Sequence, residues 1–482
     1  MCATMPRGIS NISNVACHLS AAIQILCHSL VPLREALIFL ARDPQAVSKL
    51  AAGDREKKKT VVILVELGRL LQSLLDDEDS NPTESVDPSR FFFLFRMECN
   101  ANDLGDATTA LSALLRTIRS IFVTGNRDHN SESCHPIEHL AKLYKILLQG
   151  AMKQQITGQK RHRDSIQETN KHRQIMEQRI IRNKVKSRPV SCPFPVDALS
   201  AHSLQQALDA ALQPTSIEGY NWETTTDFVE STTSKMIQSD DIQSDVVESL
   251  NHWETQKRLS FQSTPLYMLL HLQRFICSHG ELKPSENSLH IPLKLEVPVC
   301  ANNNDDDQEE KPNDTYEMLG GILHLEERDE EDDAEDEGGH YLTLVRTRTS
   351  PEDTMWHIVN DETVKELSEE EVQAVLDAKG DNPKRATLLV YRKEHHDLDT
   401  AIHRTLQDFK EDLSSIEPEE ATEECPWDLV GKRLKILWAK GKYYSGRVTS
   451  YHETTGKHRV EYDDGDIKQY KLHKKTIQWE DN

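Results

Sequence analysis

The apolar residues in the first part of the chain recur at the spacing of helices. Leu19, Ile23 and Leu26 fall on one face of a helix that begins close to Cys17. Residues 59–75 and 103–121 show the same period, with Leu and Ile along one stripe. This part of the chain is therefore predicted to be helical.

The second part of the chain favours strands, because its apolar residues come in short runs with many β-branched and aromatic side chains. The predicted strands are 190–199, 266–275, 316–324, 341–346, 355–359 and 386–392. Residues 153–188 are rich in Lys, Arg and Gln, and we expect a solvated helix or loop there. Helices first and strands second predict an α+β fold.

Polar stretches divide the rest of the chain. Residues 302–313 and 326–337 are polar insertions, and the second is almost wholly Asp and Glu, so we expect a loop. Residues 395–426 are expected to form an acidic, partly helical linker. Alternating segments and a hairpin turn then predict a small all-β barrel over residues 427–482.

Charge narrows the function classes. The chain has 482 residues, enough for two or three domains, and its net charge of −23 argues against nonspecific nucleic-acid binding by the whole protein. Residues 427–482 carry 12 Lys and Arg against 8 Asp and Glu. A basic module therefore follows an acidic body, and nucleic-acid contact stays open for that module alone.

The cysteines indicate a reducing compartment. There are nine, an odd number, and none forms a Cys-x-x-Cys pair, so neither a redox motif nor a zinc knuckle is present. No apolar run has the length of a membrane span, and the N-terminus does not resemble a signal peptide. We expect a soluble, intracellular protein with no membrane partner, no metal and no cofactor.

A candidate catalytic group spans the chain. Cys17 lies near the N-terminus, His340 follows in a Gly-Gly-His-Tyr string, and Asn360 precedes Asp361. A thiol followed by a His and an Asn is the order found in papain-type hydrolases. Such an enzyme needs a thiolate, an imidazole, a group that orients the ring and donors for the oxyanion.

The residues around Cys17 resemble the Cys box of the ubiquitin-specific proteases. The matches are Gly8, Ile9, Asn11, Ile12 and Asn14 in the first half and Cys17, Ile23, Gln24 and Leu26 in the second. The halves join only if one residue is inserted between Asn14 and Cys17, since without this gap Ala16 would take the nucleophile position and the enzyme would be inactive. We prefer the gap, because Cys17 then keeps the family's spacing to Gln24 and Leu26.

Further segments resemble the family's remaining boxes in the family's order. They are 103–111, 203–221, 265–275, 316–324, 338–341, 356–361 and 388–392. The resemblance implies a papain-like fold of thumb, palm and fingers over residues 1–394, with the fingers at about 190–260. The cysteine pairs of the family's zinc knuckles are missing at 156–158 and 220–223, so we expect fingers held by packing alone.

The resemblance also implies catalytic roles. Cys17 would attack the carbonyl carbon of ubiquitin's C-terminal glycine, and His340 would act as general base and then general acid. Asn360 would orient His340, and Asp361 would support the site. A turn at a strand end is the alternative interpretation of the Asn-Asp pair.

Oxyanion and substrate-binding residues follow from the same resemblance. Asn11 matches the family's oxyanion asparagine, and Asn14 is the alternative. The residues expected beside the ubiquitin tail are Gly338, Gly339 and Tyr341. The acidic residues 326–337 would either steer the arginine-bearing tail or form a solvated insertion without a role.

Residues 427–480 are similar to a Tudor-like domain. Trp438, Tyr444 and Tyr462, together with Asp464, would form an aromatic cage that attracts a methylated lysine or arginine. The alternative is that these aromatic residues are the core of a small barrel. The resemblance implies a methylated histone tail as partner, and the positive charge of the barrel leaves nucleic acid open as the alternative. The resemblance also adds the nucleus to the cytoplasm as an expected location.

Together the resemblances predict a deubiquitinating cysteine protease that acts on ubiquitin and ubiquitinated proteins. Two alternatives stay open. One is a catalytically silent ubiquitin-binding adaptor that uses the barrel for targeting, and the other is a hydrolase of a ubiquitin-like modifier.

Overall fold

The fold is seen in a computed structural model that describes most of the chain. The described residues are 6–10, 17–43, 45–46, 50, 55–76, 85–98, 106–123, 136–169, 172–238, 253–278, 281–284, 287–300, 313–325, 340–348, 354–377, 384–394, 396–416, 426–438, 441–452 and 455–480.

Helices dominate the first part of the described chain, as predicted. They are α1 (Cys17–His28), α2 (Val31–Arg42), α3 (Arg55–Ser73), α4 (Ser89–Glu98), α5 (Ala107–Val123), α6 (Pro136–Leu148), α7 (Leu204–Leu212), α8 (Glu369–Asp377) and α9 (His396–Ser415). Helix α1 lies against α5 on one side and a central sheet on the other, so it is buried around nearly its whole circumference. The predicted helices at 59–75 and 103–121 are confirmed as α3 and α5.

Strands follow in the second part. They are β1 (Ala151–Thr169), β2 (His172–Pro189), β3 (Phe194–Asp197), β4 (Thr215–Ser216), β5 (Val229–Gln238), β6 (Glu254–Ser263), β7 (Tyr267–Gln273), β8 (Phe275–Ser278), β9 (Glu281–Pro284), β10 (Lys294–Val297), β11 (Asp314–Leu325), β12 (His340–Arg348), β13 (Thr354–Asn360), β14 (Thr363–Leu367) and β15 (Lys384–Lys393), with β16 (Arg433–Leu437), β17 (Tyr443–His452), β18 (Lys457–Tyr462), β19 (Ile467–Tyr470) and β20 (Ile477–Trp479) at the C-terminus.

The central sheet has the order β14-β13-β12-β11-β15-β7-β3, and β10 adds to β11. Its pairs are antiparallel except for β3 and β7. Apolar residues on its two faces form two core clusters, one of which includes the helices α1 to α6. Most of the strands predicted here are confirmed, whereas the segment 190–199 is extended only at β3.

A second sheet, of order β4-β6-β1-β2-β5, forms the fingers. The expectation of a solvated helix or loop at 153–188 is wrong, since these residues form β1 and β2, the longest strands of the described chain. Few apolar anchors suffice, because the strands satisfy their backbone groups with each other and with β5 and β6. The range 190–260 expected for the fingers includes β5 and β6 but omits β1 and β2.

Aromatic packing holds the fingers at the point where the missing cysteine pairs would lie. Trp222 is 1% exposed, and its Nε1 donates to Oγ1 of Thr255 at 2.9 Å. A Cβ on Gly158 would lie 2.3 Å from Nε1 of Trp222, so only glycine fits beneath the indole. The ring centroids of Phe228 and Trp253 lie 5.9 and 5.7 Å from that of Trp222.

The partly helical structure expected over residues 395–426 is present as helix α9. Leu406, Phe409 and Leu413 are buried, and the helix packs against α6 and α2. The ring centroids of Phe39 and Phe409 lie 6.2 Å apart. Acidic residues lie between these apolar positions and make the composition of the segment polar. The segment therefore resembles a solvated connector although its apolar residues form one buried face of the helix.

The C-terminal strands form an antiparallel sheet of order β19-β18-β17-β16-β20, which confirms the all-β barrel. Its buried residues include Leu434, Ile436, Val448, Val460 and Leu472. The short 3₁₀ helix before β16 contacts α3.

No single helix of the described residues is long and apolar enough to cross a membrane. Helices α1 and α2 meet the length and hydropathy criteria only as a pair bent by 97°.

Candidate active site

Cys17 is the first residue of α1, and its side chain is 7% exposed. The free N–H groups and the positive dipole end of a helix face the thiol at this position. Leu19, Ile23 and Leu26 fix the helix, since all three are fully buried. The apolar period that predicts α1 therefore also positions the sulfur.

The environment of Cys17 favours the thiolate. Burial alone would raise the pKa of the thiol, but hydrogen bonds with the side chains of His18 and His340 and with the backbone of Tyr341 outweigh it. The charge of His340 acts in the same direction, and the pKa falls from 9.0 to about 6. At neutral pH the thiolate, which is the nucleophilic form, is dominant.

His340 is the first residue of β12, where it meets the end of β13. Its Nε2 lies 2.6 Å from Oδ1 of Asn360 and 3.8 Å from Oδ2 of Asp361. The hydrogen bond with Cys17 raises the pKa of His340 most, burial opposes it, and Asn360 and the charges of Cys17 and Asp361 add to the rise, to about 9. The structure thus brings Cys17, His340, Asn360 and Asp361 together as a thiolate–imidazolium pair with its supporting groups.

Residues 8–10, which precede α1 in the sequence, contact the turn that holds Asp361. The N–H of Ile9 donates to the carbonyl of Asp361 at 2.8 Å, and Val86 bonds to both Gly8 and Ser10 at 2.9 Å. A Cβ on Gly8 would lie 2.3 Å from the carbonyl oxygen of Glu362, which explains the glycine. Gly8, Ile9 and Ser10 therefore connect the turn at Asn360 and Asp361, here called the catalytic turn because it holds two of the candidate catalytic residues, to Val86.

Tyr341 contacts the candidate site through its backbone, which bonds to Cys17, and is held in place through its ring. Burial raises the pKa of its phenol, whose oxygen accepts from the N–H of Ala107. Asp106 caps the same helix α5, accepting from the N–H groups of Thr108 and Thr109 at 2.7 and 3.0 Å. The N–H of Ala107 at the start of α5 therefore anchors the ring of Tyr341, the residue that follows His340.

Several predicted residues lie outside the described residues. They are Asn11, Asn14, Gly338, Gly339 and the acidic stretch 326–337. His18, by contrast, is a site residue that sequence reasoning missed, and its only signal is its place next to Cys17. Among the described residues, no group of three or more His, Cys, Asp and Glu side chains has a geometry suited to a metal ion.

The barrel brings most of the predicted cage together. The ring centroid of Trp438 lies 5.1 Å from Tyr444 and 5.5 Å from Tyr462, the latter ring standing nearly perpendicular. Tyr462 is 4% exposed and accepts from Nε1 of Trp438 at 2.9 Å, so it is a core residue, whereas Tyr444 is 39% exposed. Asp464 lies in the turn after β18, where its carboxylate accepts from the N–H of Asp466.

Two further residues, which the sequence motif did not mark, contact the aromatic rings of Trp438 and Tyr462. The hydroxyl of Tyr462 donates to that of Tyr470 at 3.1 Å, and Nζ of Lys468 lies 4.4 Å from the centroid of the Trp438 ring. The sequence does not mark Tyr470, because the strand register that brings it to Tyr462 is not known from a local pattern.

Comparison with known protein families gives two matches. Residues 7–391 match the ubiquitin carboxyl-terminal hydrolase family, and residues 431–473 match the PTM/DIR17-like Tudor domain. Among curated proteins, the DNA mismatch repair protein MSH6 of Arabidopsis thaliana is 40% identical over 53 residues. That stretch is 11% of this chain and spans only 4% of the length of the relative.

Solved structures share the fold of the larger part. The SAGA Ubp8/Sgf11/Sus1/Sgf73 DUB module bound to ubiquitin aldehyde matches with a TM-score of 0.52 at 16% identity, over 82% of this chain and 72% of that chain. A second structure of this DUB module gives a TM-score of 0.47 at 16% identity, over 81% and 68%.

Proposed function

Because the chain belongs to the ubiquitin carboxyl-terminal hydrolase family, we propose that it cleaves the peptide or isopeptide bond after the C-terminal glycine of ubiquitin. The observation that carries the proposal is the contact between a thiol with a pKa of about 6 and an imidazole with a pKa of about 9 at the N-terminus of a buried helix. Family and fold are those of cysteine deubiquitinases.

Acylation begins when the thiolate of Cys17 attacks the carbonyl carbon of the glycine and pushes its π electrons onto oxygen. The oxyanion forms beside the N-terminus of α1, where free N–H groups and the helix dipole stabilise it. Asn11 and Asn14 are the side-chain candidates for the same task. The intermediate collapses as His340 gives its proton to the leaving amine, and a thioester with Cys17 remains.

Deacylation reverses these roles. Neutral His340 takes a proton from water, whose oxygen attacks the thioester carbon, and collapse expels the Cys17 thiolate beside a protonated imidazole. The amide oxygen Oδ1 of Asn360 accepts a hydrogen bond from Nε2–H of His340 and so turns Nδ1 toward the sulfur. Since its amide is neutral, the charges that stabilise the imidazolium come from the Cys17 thiolate and from Asp361, whose Oδ2 lies 3.8 Å from Nε2.

Hydrolysis of ubiquitin carrying a C-terminal fluorogenic amide tests the proposal. We expect turnover by the wild type and none by Cys17→Ala. Cys17→Ala combined with Ala16→Cys should stay inactive, because the sulfur then moves off the position that faces His340. Binding of ubiquitin without turnover would contradict the proposal and would favour a catalytically silent adaptor. Turnover of a ubiquitin-like modifier, with none of ubiquitin, would show that the modifier is the substrate.

We propose in addition that the barrel binds a methylated cationic side chain between Trp438 and Tyr444. Support comes from Lys468, whose ammonium group lies over the Trp438 ring and thus marks a place that a cation occupies. Titration with a trimethyl-lysine peptide should change the tryptophan fluorescence of the wild type but not of Trp438→Ala. Saturable binding of duplex DNA with no response to the peptide would contradict this proposal.

A further inference from the structure

The C-terminal barrel contacts helix α4 directly. The guanidinium of Arg447 lies 6.0 Å from the centroid of the Phe93 ring, and its Nη1 donates to the carbonyl of Gly431 at 3.0 Å. A Cβ on Gly431 would lie 3.3 Å from Cγ of Arg90 and 3.5 Å from Cδ1 of Phe93. The loop before β16 therefore rests on the helix without a layer of water between them.

Electrostatics adds to this contact at the beginning of the helix. Asp87 caps α4, because its Oδ1 accepts from the N–H of Ser89 at 2.8 Å. The carboxylate of Asp87 also attracts the charge of Arg447. Arg447 thus bridges the barrel and the N-terminal end of α4.

The residues before α4 continue toward the catalytic turn. Val86 pairs with Ile9 as a short parallel bridge, and the hydroxyls of Ser85 and Ser10 lie 2.6 Å apart. Ile9 then donates to the carbonyl of Asp361 at 2.8 Å. Asp361 adopts a φ of 44°, a conformation that its surroundings must hold in place.

The apolar contacts in this series are packed tightly enough to transmit a displacement. Ile9 and Val86 are buried, and Leu94 of α4 belongs to the same apolar cluster as Val430 and Leu434 of the barrel. Close-packed interiors pass strain on instead of absorbing it. A shift of the barrel must therefore move α4 or open a cavity against it.

We propose that Arg447 is a positioning residue for the reaction, which acts through α4 and the Gly8–Ser10 segment on Asn360 and Asp361. The proposal rests on the proposed deubiquitinase function. The docked barrel holds the catalytic turn in the alignment that His340 needs, and a ligand on the barrel changes the rate of chemistry instead of the binding of ubiquitin.

Arg447→Ala in the full chain tests this, with Arg459→Ala as the control, since Arg459 is an exposed arginine of the same barrel. For Arg447→Ala we expect kcat to fall about tenfold while KM stays within about twofold, as misalignment of catalytic groups requires. The alkaline limb of the pH profile should move to lower pH, because the high pKa of His340 depends in part on Asn360 and Asp361. Arg459→Ala should match the wild type.

Phe93→Leu tests the same contact from the side of α4 and should reproduce the fall in kcat with unchanged KM. Thermal unfolding of both variants separates alignment from stability. Unchanged kcat and pH profile in folded variants would overturn the proposal. So would a loss of kcat that disappears when the assay is cooled well below the melting temperature, since the contact would then serve stability alone. An inactive wild type would instead refute the proposed function itself.

Discussion

At the scale of single residues, the reactivity of a cysteine here depends on its surroundings. Cys17 and Cys27 begin and nearly end the same helix. Cys27 is fully buried, and burial raises the pKa of its thiol to about 12, although Arg34 opposes the rise. Cys17 is nearly as buried, yet His18, His340 and Tyr341 lower its pKa to about 6. A thiol reagent at neutral pH should therefore distinguish the two.

The first prediction concerns pH. Below a pH of about 6 the thiol of Cys17 is protonated, and above about 9 His340 has lost the proton that the leaving amine needs. We expect kcat/KM for a fluorogenic ubiquitin amide to rise through the first value and fall through the second, as a bell. An acid limb near 9.0, the ordinary pKa of a thiol, would show that the pair does not form.

The second prediction concerns Asn360. Removing its amide in Asn360→Ala leaves the ring of His340 free to rotate, so kcat/KM should fall by roughly 10- to 100-fold. The alkaline limb should also move to lower pH, because the hydrogen bond with Asn360 raises the pKa of His340. Asn313→Ala, at an exposed asparagine in β11's flanking loop, is the control. Activity equal to the control would assign the orienting role to Asp361.

Sequence patterns predicted part of this site. Cys17, His340 and Asn360 stand in recognisable strings, and the structure places His340 in contact with both of the others. His18 has no motif of its own, because its effect on the thiol depends on the rotamer it takes at the start of α1. The hydrogen bond from the N–H of Ile9 to the carbonyl of Asp361 joins segments that lie far apart in the sequence. The spacing of apolar residues within either segment therefore does not predict it.

At the scale of elements, the fingers show how a sheet forms from a polar sequence. Met152 and Ile156 are buried on one face of β1, while their neighbours are polar. Two apolar residues in such a segment do not predict a strand, but pairing on both edges with β2 and β6 makes the strand stable. Tertiary contacts thus override a weak local pattern.

The third prediction tests the aromatic packing of the fingers. Trp222→Ala removes a fully buried indole and should lower the free energy of unfolding by about 3–5 kcal/mol. Trp479→Ala, at an exposed tryptophan, should change it little. Both variants are compared by urea denaturation.

A chelator gives the complementary test of the fingers. Since packing alone is expected to hold them, EDTA should leave the urea midpoint of the wild type unchanged. A midpoint that falls with EDTA, or a Trp222→Ala variant as stable as Trp479→Ala, would contradict this account of the fingers.

At the scale of the whole molecule, the barrel and the helical part share one apolar cluster. Leu434 and Val460 of the barrel belong to the cluster that contains α4 and α9. A unit of some 50 residues has little core of its own and is marginally stable alone. The sequence predicted the barrel and the protease part separately, but no pattern indicated that the loop before β16 packs on α4.

The fourth prediction follows from this shared core. Urea unfolding monitored by far-UV circular dichroism should show one transition, because the barrel unfolds together with the part it contacts. Leu434→Ala should lower the stability of that single transition by about 2–5 kcal/mol. Two separate transitions, of which only the smaller responds to Leu434→Ala, would show instead that the barrel folds independently.

The role of Cys17 as the nucleophile of a deubiquitinating protease is tested most directly by an intact-mass measurement. The protein is incubated with ubiquitin that bears a C-terminal thiol-reactive electrophile, and its mass is then recorded. The wild type should gain the mass of one ubiquitin, Cys17→Ala should gain none, and His340→Ala should react far more slowly. No gain by the wild type, or an equal gain by Cys17→Ala, would contradict the assignment of Cys17 as the nucleophile of a deubiquitinating protease.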